Sequence, residues 1–168
     1  MSIPNKKFSY EPDYSVSSYT QVNTDEELLS YDKKMGGLSI NQKTFKVFRF
    51  LSKFLGKILM PKPDTSSVII TNNKEVSKGL LIVRPENQQA EGALFLIHGG
   101  GYVVGNYMDN LAYACDTARE LGISVLSPAY GLGPENPFPA GINDLYESWK
   151  WLLENASSLN INKDKIII

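Results

Sequence analysis

The chain has 168 residues, 42% of them hydrophobic and 21% charged, which suits one domain with its own apolar core. With 17 Lys+Arg against 18 Asp+Glu there is no basic surplus for nucleic acid, no acidic tail and no compositional sign of disorder. One cysteine and one histidine exclude an internal disulfide framework and a zinc site built from soft ligands, so no such metal site is expected. The first residues lack an apolar run of signal-peptide length, and nowhere do about 18 uncharged apolar residues follow one another. A cytoplasmic protein is the expectation.

Residues 1–60 hold 9 Lys+Arg and 6 Asp+Glu (net +3), and 61–168 hold 8 and 12 (net −4). The break falls at Met60-Pro61-Lys62-Pro63, where two prolines stop a helix and favour extended chain. Two parts are expected, a helical segment over 1–60 and a second part over 61–168. In the first, Thr24-Asp25-Glu26-Glu27 forms a capping box for a helix ending near Gly36-Gly37. A second helix is expected from Asn41 to Leu59. Val47, Phe48, Leu51, Phe54, Leu55 and Ile58 recur on one face of it, and Lys43, Lys46, Arg49, Lys53 and Lys57 on another.

After the prolines the rhythm shortens. Val68 to Thr71 and Gly79 to Arg84, separated by Asn72-Asn73-Lys74, predict an antiparallel strand pair. Ala93 to Ile97 is a continuous apolar run, as expected of a strand buried on both faces. A helix from about Met108 to Leu121 ends at Gly122, and Ile123 to Ser127 forms the next buried strand, implying a parallel crossover. Past the loop 128–139, Ile142, Leu145, Trp149 and Leu152 share a helical face, and Lys165 to Ile168 begins a further strand. The alternation predicts an α/β fold, a mostly parallel sheet with helices on both faces.

The stretch His98-Gly99-Gly100-Gly101-Tyr102-Val103-Val104-Gly105-Asn106 directly follows a buried strand. Consecutive glycines are costly in a regular element, so their use is backbone geometry. Amide N–H groups without side chains can approach a bound group closely, as stabilising an oxyanion requires. A phosphate-cradling loop would need a Walker pattern or a spaced G-x-G-x-x-G, and neither is present; a plain flexible turn is the blander alternative. His98 is the one imidazole available. A loop-shaping hydrogen-bond partner is its favoured role, with a general base as the competing one.

This glycine stretch, with Tyr130-Gly131-Leu132-Gly133-Pro134-Glu135-Asn136-Pro137-Phe138-Pro139-Ala140, resembles the hormone-sensitive-lipase-like esterases, the group that includes bacterial acetyl esterase. The likeness runs over about 68–168. It implies the N-terminal part of an α/β-hydrolase fold, with residues 1–60 as a helical cap segment. It also implies cofactor-free hydrolysis of short-acyl esters. By position, Gly100 and Gly101 match the oxyanion-hole donors, Gly99 the glycine that lets the loop turn, and His98 a loop-shaping histidine. The basic helix is then read as the cap in preference to an interfacial helix on anionic lipid. A small-molecule ester is the expected partner, with no nucleic acid, and a complementing C-terminal half or a second copy is the further partner considered.

Two departures stand out. Ala129, Gly131 and Gly133 replace the family's usual acidic residue, Arg and Ala. The expectation is a loop more flexible than usual, stabilised by Gly131→Arg, with the partner role of Glu135 left open. No Gly-x-Ser-x-Gly occurs in the chain. Ser124 lies inside a predicted strand, and Cys115 in mid-helix reads as a packing residue. Nucleophile, acid and base are therefore expected beyond Ile168, and the chain alone is expected to be inactive. The alternative is a non-catalytic module, made from half a hydrolase, that binds a small molecule or is completed by a partner.

Overall fold

The computed structural model describes residues 62–168, Ser77 apart, and the positions Val47, Arg49, Phe50, Leu51, Ser52 and Phe54, all helical. The capping box at Thr24, its helix and the rest of the basic helix lie outside the described residues.

Five strands form one sheet in the order β1-β2-β4-β3-β5. Strands β1 (Val68–Asn73) and β2 (Leu80–Pro85) are the expected antiparallel pair, in register from Val68 opposite Pro85 to Asn73 opposite Leu80. β2 then runs antiparallel to β4 (Ser124–Pro128). β3 (Ala93–Phe95) lies parallel to β4 on one side and to β5 (Ile166–Ile167) on the other. Among the described strands the sheet is thus evenly mixed, two antiparallel pairings and two parallel. The hairpin supplies the antiparallel half and the helical crossovers the parallel half.

Among the described residues, each face of the sheet packs against one helix. α1 (Leu111–Leu121) buries Ala114, Cys115 and Ala118 against Leu81, Val83 and Val125. α2 (Ala140–Asn155) places Leu152 in the opposite cluster with Leu80, Ile82, Phe95 and Leu126, where Trp149 meets Phe95 edge-on at 5.5 Å. The strict alternation along β2 follows from the two-residue period of a strand, and both sets are apolar because both faces are covered.

α1 starts three residues later than the periodicity suggests. The Asn106 side chain accepts from Met108 N–H at 2.8 Å, and Asp109 N–H donates to Asn106 O, so 106–110 is a series of turns. Its end is as expected, with Gly122 left-handed and donating to Ala118 O. Before β5, Asn162 accepts from Asp164 N–H and caps a short 3-10 turn, Lys163–Lys165. Arg119 on α1 holds the incoming chain by donating to Asp64 O at 2.6 Å and Ser66 O at 3.3 Å. No helix among the described residues is long and apolar enough to cross a membrane.

Candidate active site

Leaving β3 the chain goes to α1 on one face, and leaving β4 it goes to α2 on the other. Adjacent parallel strands whose exits diverge open a crevice at their carboxyl ends, the place where α/β sheets bind ligands. His98 comes from the first exit and Tyr130 from the second, and they meet across it.

Leu96 N–H donates to Leu126 O, extending the ladder almost to His98. His98 is 5% exposed and Tyr130 8%, and their rings stack with centroids 4.2 Å apart and 12° between planes. The Tyr130 hydroxyl donates to His98 O at 2.6 Å and lies 3.4 Å from His98 Nδ1; that nitrogen is 2.9 Å from Gly99 O. Burial pushes the Tyr130 phenol above its ordinary value, with the nearby Tyr102 adding to the shift, so the phenol stays a neutral donor. A histidine stacked and enclosed in this way faces its own loop.

The glycines serve two close approaches. Gly100 has φ +125, and a Cβ there would overlap Val104 O; Val103 and Val104 N–H both donate to Gly100 O at 3.0 Å, closing the turn. Gly105 has φ +99, and its Cβ would overlap Gly99 O and lie 2.7 Å from His98 Nδ1. Between these pins, the N–H groups of Gly100 and Gly101 make no hydrogen bond among the described residues. Gly99 and Gly101 are exposed and Gly100 half-buried. The four motif residues 98–101 are therefore together at one edge of the crevice.

Three residues that motif reading left without a role hold this arrangement. Tyr130 is one, Gly105 the second, and Asp144 on α2 the third, accepting from Gly131 N–H at 2.8 Å. Their signal in sequence is only that they stand at fixed places in or near the two motifs. Gly131 is a correction. It is buried, its amide is bonded, and a Cβ would lie 2.8 Å from Asn136 Cβ, so the loop is closely packed at this point and an added side chain is obstructed. Ser124 and Cys115 are both fully buried, away from the loop, and burial pushes the Cys115 thiol up. Among the described residues no three His, Cys, Asp or Glu side chains gather where a metal could sit.

The family model for the alpha/beta hydrolase fold matches residues 94–168. An ethyl acetate hydrolase from Pseudomonas putida is 34% identical over 79 residues, 47% of this chain and 25% of that protein. Hormone-sensitive lipase from Bos taurus is 32% identical over 89 residues, 52% of this chain and 12% of that protein. Among solved structures, a bacterial heroin esterase shares the fold with a TM-score of 0.68 at 23% identity, over 84% of this chain and 46% of that one. The chain thus spans a quarter or less of the two curated relatives named. The chain therefore has the α/β-hydrolase fold, and over about half of its length it is similar in sequence to an ethyl acetate hydrolase and to hormone-sensitive lipase.

Proposed function

We propose that this chain supplies the oxyanion-binding half of a carboxylic-ester hydrolase acting on small, short-acyl esters without a cofactor. The observation that carries the reading is the pinned loop. It leaves the Gly100 and Gly101 N–H groups adjacent and without hydrogen bonds among the described residues, at the carboxyl end of β3. Two such donors act on charge that appears only in the transition state, and one is worth on the order of 3 kcal/mol there. By resemblance Gly99 lets the chain turn, but the left-handed φ values fall at Gly100 and Gly101 and a Cβ at Gly99 would meet nothing within 4 Å; His98, held by Tyr130, shapes the loop. His98 is not the base.

The attacking serine, its acid and its base are not among these 168 residues, which contain no Gly-x-Ser-x-Gly and no histidine besides His98. In the whole protein, as the family resemblance implies, the serine follows the strand at 166–167 and attacks the ester carbonyl while Gly100 and Gly101 hold the oxygen. Residues 1–60 form the cap in this reading. The purified 168-residue chain is expected to release nitrophenolate from p-nitrophenyl acetate no faster than buffer does. Turnover abolished by a serine-reactive phosphonate would refute that assignment of roles.

A further inference from the structure

The crevice between the two loops widens beside the amides into a cleft of about 370 Å³. Tyr102 and Val103 form one wall, and Pro137, Phe138 and Ile142 much of the other. Among the described residues that line it none is charged, and Asn136 is the one with a polar side chain apart from the Tyr102 hydroxyl. These walls offer an ionised group no counter-charge, so the occupant they fit is uncharged and apolar. An apolar cavity of about 150 Å³ holds benzene, so this space admits an aryl ring with substituents. Two aromatic rings already edge it, Tyr102 and Phe138, at 55% and 62% exposure.

Glycine at three lining positions has different causes. A Cβ at Gly131 would press on Asn136, and one at Gly141 would come 2.9 Å from Gly131 O. At Gly133 the nearest atoms would be Tyr102 O at 3.7 Å and Val103 Cγ1 at 3.9 Å, ordinary contacts, and its φ is outside the left-handed region. Among the described residues, packing therefore does not demand glycine at 133. A side chain there would start beside Tyr102 and Val103 and take up room in the cleft.

We propose that Gly133 keeps this cleft open for an uncharged aryl group of the ester whose carbonyl oxygen the Gly100 and Gly101 amides receive. The inference rests on the oxyanion reading above. Because Tyr102 directly follows Gly101, a ring against Tyr102 is one residue from the donors.

The test titrates the 168-residue chain with phenyl acetate, with its ring on the alcohol side, and methyl benzoate, with its ring on the acyl side, while amide NMR signals are followed. Saturable shifts at Tyr102, Val103, Gly133 and Ile142 with either ester support the proposal, and the ester that also shifts Gly100 and Gly101 identifies the side. Gly133→Leu is expected to weaken binding about tenfold or more, and Gly133→Ala by less. Phenyl acetate carrying a carboxylate at the para position of its ring should bind about tenfold more weakly than phenyl acetate itself. If the Leu variant fails to fold, the Ala variant and the charged control decide. Unshifted cleft amides, or equal binding by a folded Gly133→Leu chain, overturn the proposal. Cleft shifts with the esters while a phosphonate monoester anion leaves Gly100 and Gly101 unmoved refute the oxyanion reading and leave aryl binding standing, whereas a response of Gly100 and Gly101 to that anion with unshifted cleft amides does the reverse.

Discussion

Two hydrogen bonds join the loop after β3 to the loop after β4: the Tyr130 hydroxyl donates to His98 O at 2.6 Å, and Gly133 N–H donates to Tyr102 O at 2.8 Å. Replacing Tyr130 by Phe keeps the stack on His98 but leaves a buried carbonyl without this donor, a cost of about 1–3 kcal/mol. Urea unfolding should show that loss, and the Gly100 and Gly101 amides should exchange faster with solvent. At Gly131 the structure reverses the sign expected from the family pattern. Gly131→Arg is expected to lower the melting temperature because its Cβ meets Asn136, and adding Asn136→Gly should recover part of the loss. Cys115 gives a pH dependence. Its folded thiol titrates above the ordinary value because of burial, so its contribution to stability is complete below the unfolded thiol's pKa and is lost as pH rises through the folded one. Urea midpoints should therefore fall more steeply above about pH 8.5 in the native chain than in Cys115→Ala. The motif residues were legible in the sequence because each glycine run marks a backbone demand. The obstruction at Gly131 was not, because Asn136 approaches it only once the loop has folded.

At the scale of elements, Leu126 shows how the sheet works as a divider. It is fully buried on the α2 side, while its neighbour Val125 is fully buried on the α1 side. Leu126→Ala is expected to cost about 2–5 kcal/mol by opening a cavity, read as a drop in the urea midpoint. The existence of β1, β2, β4 and both helices is legible because apolar period and glycine or proline stops agree over their length. Two details are not. The turns at 106–110 depend on one asparagine side chain, and the order β4-β3-β5 depends on pairings between distant segments that local pattern does not encode. That order makes the crevice, since it sends the exits of β3 and β4 to opposite faces.

For the whole molecule, the sheet presents Ile167 and Ile168 at 66% and 72% exposure beside the edge of β5, whose outer side has no paired strand among the described residues. A glycine loop that is a pair of oxyanion donors must bind a tetrahedral anion. Amide NMR of the 168-residue chain titrated with a phosphonate monoester anion, standing for the tetrahedral oxyanion, tests it most directly. The Gly100 and Gly101 amide protons are expected to move downfield together and saturate, and Gly100→Ala to abolish the response; if those two signals stay in place at saturating anion, the loop is not an oxyanion hole.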